Sequence, residues 1–401
     1  MKTVSARIKK FNALLLPDKV KLKYQLMSES MFRFYRGTCH LFYEDLGKMK
    51  NKIAVSPLAW ISGDLHIENF GSYKANNQLV YFDLNDFDEA LLAPALWEVL
   101  RMVTSIFVAF YTLKIKKRQA EHMAAQFIRT YAAQLSTGKA AYIEPQTAKG
   151  IVCTFLETVS ARKHKDLLIK RTTLFKGKKI LMIDNEKHFA LDKALKKRLI
   201  TYMNGWILKN SDSPYHYKVK DVVFRLAGTG SVGVKRYLFL LRNLNDKTDY
   251  LLLDMKQAVP SSLQPYVKTK QPKWASEAQR VLEVADRMQS RLPALFSTGI
   301  FEGDSYIMEE MQSTSDKVNF ELIKDRYRDV FQVIDDMAML TASAQLRSAG
   351  RQGSVNADKL ISFGKRRDKW QPKVMAYAMM YVQKVKQDYT SFAADLKSGL
   401  L

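Results

Sequence analysis

The chain of 401 residues is 47% hydrophobic and 11% aromatic, which excludes general disorder and is enough for a large core in two lobes or domains. Its only two cysteines, Cys39 and Cys153, argue for a reducing compartment and against a structural disulfide. The formal net charge of +24 at pH 7 favours anionic ligands.

The basic residues are dispersed in several runs, which fit solvated helix faces as well as a nucleic-acid or anionic-membrane face. No nucleic-acid-binding motif accompanies them, so a phosphorylated ligand is the first interpretation and a nucleic acid the second. Residues 1–23 have no apolar core of signal-peptide length, and the longest apolar segment, residues 102–113, is too short to span a bilayer. We therefore expect a cytoplasmic protein.

Hydrophobic periodicity predicts a helical region at residues 17–48, a turn at 72–77 and a short strand at 79–82. Further along the chain it predicts helices at 95–116, 118–136 and 274–292, a basic helical region at 140–205 with a hairpin near 176–179, strands at 222–226, 237–241, 250–255 and 306–311, and helical segments at 318–347 and 370–396.

Two polar segments, residues 63–69 and 83–89, flank the short strand, which would carry the second segment back beside the first. Phosphoryl transfer needs a carboxylate to orient the attacking hydroxyl, and an amide oxygen and a second carboxylate to hold a metal ion. Asp64, Asn69 and Asp86 supply these groups. His66 is not expected to bind the metal directly, because Mg²⁺ prefers oxygen ligands and histidine offers nitrogen. Gly-Asp and Asn-Asp pairs are also common turn formers, and this simpler interpretation stays open.

The segment Gly63-Asp64-Leu65-His66-x-x-Asn69 resembles the catalytic loop of the aminoglycoside and choline kinase-like phosphotransferases, and residues 86–88 resemble their metal-binding segment. Glu98 falls where those enzymes carry an aspartate that braces the catalytic loop. The whole chain resembles more closely the bacterial family catalogued as domain of unknown function 2252. The matching segments are residues 34–37, 63–71, 82–89 and 228–233. This family implies a kinase-like fold but no substrate, and Arg36 in its first segment would either reach a phosphate or form a structural ion pair.

A second informative region has the pattern Gly228-x-Gly230-Ser231-x-Gly233 between strand-like segments. In a dinucleotide-binding fold such glycines open a helix, so the flanking β-branched and aromatic residues favour a kinase-type glycine-rich hairpin that closes over phosphates. An ordinary hairpin with a glycine-rich turn is the alternative.

Lys256 ends the predicted strand 250–255, where a kinase fold places the lysine that binds nucleotide phosphates. Such a lysine needs an acidic partner, and the helix predicted at residues 274–292 offers Glu277 and Glu283. Alignment with the resembled family favours Glu283, and Glu277 is the second candidate. The polar residues 312–317 would form the hinge that meets the adenine.

In ordinary kinases the glycine-rich loop and the lysine precede the catalytic loop, whereas here they follow it. We therefore predict an α+β, protein kinase-like fold of two lobes that is circularly permuted. Residues 1–205 would form a large helical catalytic lobe, residues 206–317 a small antiparallel-sheet nucleotide lobe, and residues 318–401 helices that return to the catalytic lobe.

The predicted function is ATP-dependent transfer of a phosphoryl group to a hydroxyl of a small molecule or a protein. Asp64 would orient the acceptor hydroxyl and receive its proton, while His66 would brace the loop. The predicted Mg²⁺ ligands are Asn69, Asp86 and Asp88, and the predicted nucleotide-binding residues are Gly228, Gly230, Ser231, Gly233, Lys256 and Glu283. The alternatives are a nucleotide-binding regulator without transfer activity and a basic nucleic-acid-binding protein. The acceptor and the oligomeric state stay open.

Overall fold

The computed structural model describes residues 3–49, 53–210 and 213–401. Their helices are α1 (Val4–Asn12), α2 (Pro17–Ser28), α3 (Met31–Gly37), α4 (Cys39–Lys48), α5 (Ala95–Thr112), α6 (Lys117–Thr137), α7 (Gly150–Ser160), α8 (His164–Arg171), α9 (Lys193–Lys209), α10 (Glu277–Met288), α11 (Phe320–Ile323), α12 (Tyr327–Arg347), α13 (Ala357–Lys365) and α14 (Arg367–Lys397). Their strands are β1 (Leu58–Ile61), β2 (Phe70–Lys74), β3 (Val80–Leu84), β4 (Leu91–Pro94), β5 (Thr172–Phe175), β6 (Lys178–Leu181), β7 (His188–Phe189), β8 (Tyr217–Arg225), β9 (Arg236–Asn243), β10 (Tyr250–Gln257), β11 (Ser297–Phe301) and β12 (Asp304–Glu310). This is an α+β protein with antiparallel sheets.

Helix α5 lies at the centre of the larger lobe. Every residue from 95 to 110 is buried, as expected for a helix that is apolar on almost all sides. It packs against α3, α6 and α14, and α6 in turn packs against α12 and α13. The helices near the end of the chain therefore share one hydrophobic core with helices from its first third.

The same helix passes a test of length and apolarity for a membrane span. Ala95–Thr112 is the one helix within the described residues to do so, and 89% of it is buried inside the protein. The predicted apolar segment, residues 102–113, coincides with the later part of this helix and its end, and the helix begins seven residues earlier. The burial shows that its apolar surface is covered by the other helices of the core.

A six-stranded antiparallel sheet forms the smaller lobe, with the strand order β11-β12-β10-β9-β8-β7. Strands β9 and β10 are apolar on both faces because each face is covered. On one face Phe239 and Leu253 join a core with α9, and on the other Leu238 and Leu252 join a core with α8 and the β5–β6 hairpin. The predicted order of strand, glycine-rich turn, strand, turn and strand is confirmed for β8, β9 and β10.

The two polar segments identified in the sequence lie in loops attached to short antiparallel pairs. Residues 62–69 connect β1 to β2, and residues 85–90 connect β3 to β4, while β1 pairs with β4 and β2 pairs with β3. This pairing brings the loops together, and the backbone N–H of Asn85 donates to the carbonyl of Asn69 at 2.9 Å. The predicted return of the second segment to the first is confirmed.

Some predicted boundaries were wrong. The helical region predicted at residues 17–48 is three helices, because the Ser30 hydroxyl accepts a hydrogen bond from Arg33 N and starts α3 anew. The turn predicted at 72–77 begins later, since β2 continues to Lys74. Helices α1 and α13 and strands β1, β2, β4, β7 and β11 were not predicted, and all seven elements have nine residues or fewer.

A substitution at Gly63 would show how closely the first polar loop packs against the second. Its φ is +86°, and a Cβ there would overlap the carbonyl oxygen of Glu89. We expect Gly63→Ala to lower the free energy of unfolding by about 3 kcal/mol, because backbone strain and overlap add together. Gly177 has a φ of +70° but open space around it, so Gly177→Ala should cost only about 1 kcal/mol. Urea denaturation measures both, and equal losses would contradict the close packing.

Candidate functional site

Glu98 holds the beginning of the first polar loop. It is fully buried in α5, and one of its oxygens accepts hydrogen bonds from Ser62 N at 2.6 Å and Ser62 Oγ at 2.7 Å. Its other oxygen accepts from Gln345 Nε2 at 3.0 Å. Burial raises the pKa of Glu98, although the hydrogen bonds from Ser62 and Gln345 oppose this. The contacts agree with the bracing role that the resemblance implies for this residue.

Asp64 is held by a fully buried arginine. Nε and Nη2 of Arg101 donate to Oδ1 of Asp64 at 2.9 and 2.7 Å, which leaves Oδ2 free of Arg101. The Asp64 side chain is 19% exposed. Burial raises its pKa, and the charge of Arg101 acts against this shift. Arg101 was not predicted as a site residue, because a charged residue in an apolar helix carries no sequence signal for its partner.

His66 is buried beside Asp64. Its Nδ1 lies 3.1 Å from Glu68 N, and its Nε2 lies 3.2 Å from Nε of Arg36. Burial and the charge of Arg36 lower the pKa of His66 well below its usual range. Arg36 forms an ion pair with Glu68, which Lys317 also contacts. The structural alternative for Arg36 is therefore the one observed.

The predicted metal ligands lie at the meeting point of the two loops. Asn69 donates from Nδ2 to the carbonyl of Asp64, and no described residue donates to its Oδ1. Asp86 is more exposed than Asp88, with 45% and 32% of the two side chains accessible. Burial raises the pKa of Asp86, the charge of Asp88 raises it further, and Lys256 opposes both. The free amide oxygen and the two carboxylates fit the hard oxygen ligands of Mg²⁺.

No three His, Cys, Asp or Glu side chains come together as a metal-binding group anywhere in the described residues. A metal ion in this cleft would therefore depend on Asn69 in addition to Asp86 and Asp88. The assignment of these ligands stays a prediction.

Lys256 reaches this acidic group from the sheet. Its Nζ lies 3.8 Å from Oδ1 of Asp86 and forms a closer ion pair with Asp88. Burial alone would lower the pKa of Lys256, but the charges of Asp86 and Asp88 outweigh burial and raise it. A lysine from the middle of the chain thus meets carboxylates from its first quarter.

The predicted pairing of Lys256 with Glu283 was wrong. Glu283 accepts hydrogen bonds from Arg287 Nη2 at 2.5 Å and from Gln279 Nε2 at 2.9 Å, which are both one turn away on α10. The second candidate, Glu277, pairs with Arg280 at 2.6 Å. Neighbours on the same helix face satisfy both glutamates, and the ion pairs of Lys256 within the described chain are with the two aspartates.

Helix α10 contributes to the site through Arg280 instead. This residue is 2% exposed, and its guanidinium donates to the carbonyls of Asp88, Ala90 and Val259 at 2.8–3.0 Å. It thereby fixes the backbone of the second polar loop against the end of β10. The sequence predicted that this helix contributes a side chain to the site. It did not indicate that this side chain is an arginine rather than a glutamate.

A second basic group lies next to Lys256 on the sheet. Arg225 on β8 and Arg236 on β9 both form ion pairs with Asp254 on β10. Burial and the nearby charge of Arg236 lower the pKa of Arg225 to about 10, although Asp254 opposes this. These residues were not predicted, since alternating charges in a strand also fit an exposed face.

The glycine-rich loop connects β8 to β9 and covers the cleft. Gly228 and Gly233 have φ values of +71° and +97°, which glycine adopts without strain. The loop is fastened at its far side, where Gly233 O accepts from Leu16 N at 3.0 Å, and internally, where Ser231 Oγ donates to Ala227 O at 2.9 Å. Gly230 O accepts from Nζ of Lys23 at 3.0 Å.

Most of the predicted site residues line one cleft with a cavity volume of about 120 Å³. Its walls include Asp64, His66, Asn69, Asp86, Asp88, Gly228, Gly230 and Ser231 from the prediction, and Lys23, Arg36 and Glu89 from outside it. A larger cavity of about 760 Å³ adjoins the cleft, since Arg36 and Gly228 line both. The structure therefore brings the catalytic and metal candidates together with Gly228, Gly230 and Ser231. Gly233, Lys256 and Glu283 do not line this cavity, and Lys256 meets it through its ion pairs with Asp86 and Asp88.

The fold and the cleft define an α+β protein with a charged site between a helical lobe and an antiparallel sheet. Residues 15–395 match the family described as an uncharacterized protein conserved in bacteria (DUF2252), and the chain belongs to this family. Comparison with curated proteins and comparison with solved structures gave no match. The family membership confirms that part of the resemblance, and the relationship to kinases stays a prediction.

Glu89 is a partly buried acid of the cleft whose ionisation should affect stability. Its carboxylate accepts hydrogen bonds from Ser262 N and Ser261 Oγ, and burial and the charge of Asp64 raise its pKa to about 7 from 4.5. A pKa raised in the folded state gives a contribution to stability that is complete below pH 4.5 and lost as the pH rises through 7. We expect Glu89→Gln to gain about 1–3 kcal/mol relative to wild type between pH 5 and pH 8.

Thermal unfolding of both proteins at several pH values measures this gain. Glu186→Gln, at an exposed position, is the matched control and should follow the wild type at every pH. If Glu89→Gln also follows the wild type throughout, Glu89 does not ionise in this range.

Proposed function

We propose that the protein is an ATP-dependent phosphotransferase that moves a phosphoryl group to a hydroxyl of a small molecule or a protein. The observation that carries this proposal is the ion pairing of Lys256 with Asp86 and Asp88, two carboxylates that line one cavity with Asp64 and the glycine-rich loop. Phosphoryl transfer depends mainly on positioning and charge neutralisation, and these groups supply both.

The arrangement of the sheet supports the proposal. The glycine-rich loop joins β8 to β9, Lys256 lies on the next strand, β10, and α10 follows before β11 and β12. In protein kinases the phosphate-binding lysine also lies on the third strand, counted from the strand before the glycine-rich loop. The two-lobed kinase-like fold is part of this proposal.

Circular permutation of that fold is physically reasonable for this chain. Near its start, Ser5 Oγ donates to Asp395 at 2.5 Å, and Lys9 donates to the carbonyl of Leu400. Segments from the two ends thus lie side by side, as they must if a chain is to be joined there and opened elsewhere without disturbing its core.

Asp64 would act on the acceptor through Oδ2, which Arg101 leaves free, while Arg101 fixes the orientation of the carboxylate. Mg²⁺, when bound, would neutralise charge on the phosphates, and the residues that would hold it are Asn69, Asp86 and Asp88. Lys256 would leave Asp88 to bind phosphate oxygens. His66 contacts Arg36 and the backbone of Glu68 and would keep the loop in place rather than accept the proton.

Replacement of Asp64 tests its role, and asparagine is the informative substitution. Alanine would leave the buried Arg101 without a carboxylate, which costs about 3–5 kcal/mol, whereas asparagine keeps an acceptor for it. We expect Asp64→Asn to lower transfer at least 100-fold, because it removes the base, and to retain Mg-ATP binding. Transfer of labelled phosphate from ATP to a panel of metabolites and proteins measures the rate, and calorimetry measures binding.

These measurements also separate the alternatives. Mg-ATP binding by the wild type without transfer would support a nucleotide-binding regulator. Strongly salt-dependent binding of RNA or DNA without ATP affinity would support a basic nucleic-acid-binding protein. Undiminished transfer by Asp64→Asn would reject the assigned role of Asp64.

Lys256 and Glu283 form a matched pair of variants for nucleotide binding. Lys256→Met removes the charge that would bind phosphates, so the affinity for Mg-ATP should fall at least about tenfold. Glu283→Gln loses only the contact with Arg287, and its affinity should equal that of the wild type. Isothermal titration calorimetry measures both affinities, and the opposite result would restore the sequence-based pairing of Glu283 with the nucleotide site.

A further inference from the structure

Lys23 is a buried lysine that lines the candidate cleft. It lies on α2, is 2% exposed, and faces the cavity that also contains Asp64, Asp86 and Asp88. Its Nζ donates to the carbonyl of Gly230 at 3.0 Å and to Oδ1 of Asn12 at 3.1 Å. Both partners are neutral, and an ammonium group has three N–H donors.

The other positive charges around the cleft are already paired with carboxylates. Arg36 pairs with Glu68, Arg101 pairs with Asp64, and Lys256 pairs with Asp88. In the described part of the chain, no carboxylate lies within ion-pair distance of Lys23. Arg36 and Lys23 are the cations on the cleft wall, so Lys23 is the one whose charge a bound anion would meet unpaired.

A buried ammonium group without a carboxylate is costly, because water is removed and no opposite charge replaces it. Burial lowers the pKa of Lys23 to about 8, although the charge of Glu89 acts in the opposite direction. The position of the group therefore calls for an explanation beyond packing. A methionine of similar length would fill the same space without the desolvation cost.

The neighbours of Lys23 indicate which anion it meets. Its ammonium donates to the glycine-rich loop at Gly230, and it lines the same cavity as Asp64 and Asp86. An anion held here would lie under the loop and close to the predicted metal ligands. A phosphate group suits this position, because it carries several oxygen acceptors for a lysine and for backbone N–H groups.

We infer that Lys23 binds a phosphate group of the ligand in this cleft, as a second cationic phosphate contact besides Lys256. The inference rests on the proposed function for the identity of the anion. The third N–H of Lys23 would donate to a phosphate oxygen while the bonds to Asn12 and Gly230 hold the ammonium in place. Helix α2 would in this way belong to the nucleotide site although it lies far from the sheet in the chain.

Lys23→Met tests the inference, with Lys21→Met as the matched control on the exposed side of the same helix. Pyrophosphate and Mg-ATP are the probes, and calorimetry and thermal unfolding are the measurements. We expect the affinity of Lys23→Met for pyrophosphate to be about 10- to 100-fold weaker than that of the wild type, the range for loss of a charged hydrogen bond. Lys21→Met should bind as the wild type does.

Thermal unfolding without ligand separates phosphate binding from a purely structural role. Lys23→Met removes the desolvation cost of the ammonium but leaves Gly230 O and Oδ1 of Asn12 without its N–H donors, so its unfolding temperature should stay close to that of the wild type. If Lys23→Met does not fold, Lys23→Gln decides, since it keeps a neutral donor for Gly230 but has no charge. Wild-type affinity for pyrophosphate in these variants, or a clear loss of ligand-free stability without a loss of affinity, would overturn the inference.

The two probes distinguish this inference from the proposed function. Pyrophosphate binding that depends on Lys23, together with no binding of Mg-ATP, would support the phosphate contact and reject the nucleotide as donor. Binding of Mg-ATP that is insensitive to Lys23 would reject the contact and leave the proposed function standing. If the wild type binds neither probe, both are rejected.

Discussion

The contact of Lys256 with Asp86 and Asp88 joins the six-stranded sheet to the acidic loop of the helical lobe. Burial alone would make a lysine in this position lose its proton more readily, because burial disfavours the charged form. The charges of Asp86 and Asp88 outweigh burial, and the pKa of Lys256 is raised. Opposite charges thus hold the two sides of this contact together. A phosphate group could replace the carboxylates as partner of the lysine, and a metal ion could replace the lysine as partner of the carboxylates.

The loops that carry these charges have little regular structure of their own, and fully buried charged residues hold them. Glu98 binds the backbone and side chain of Ser62, and Arg280 binds three carbonyls around the second loop. Removing one partner of such a contact leaves the other buried and unsatisfied, which costs more than the contact itself contributes. The positions of the candidate catalytic groups therefore depend on residues of α5 and α10 that do not touch the cleft.

Local patterns predicted much of the site, because they concern residues that are close in the chain. The strands around residues 228–233 and the position of Lys256 on the next strand follow from spacing and composition, and the structure has both. The partner of Lys256 could not be predicted from spacing, since packing decides which face of α10 lies against the sheet. Glu283 forms an ion pair with Arg287 on its own helix instead. The roles of Lys23 and Arg101 were equally hidden, because composition assigns basic residues to the surface and only the tertiary structure buries them.

The net charge of +24 acts on this site from a distance, whereas the cleft itself is lined by the acids Asp64, Asp86, Asp88 and Glu89 and by the cations Lys23 and Arg36. Exposed lysines such as Lys163, Lys165, Lys193 and Lys197 lie outside the cleft, and their field is screened over about 8 Å at physiological ionic strength. They can raise the rate at which an anion meets the protein, but they do not choose its position. Within the cleft, the position of the anion is set by cations that have an N–H free to donate. Cations that already form ion pairs with carboxylates must first leave those carboxylates. Salt should therefore weaken association more than it speeds dissociation, because the final contacts are buried and the attracting ones are not.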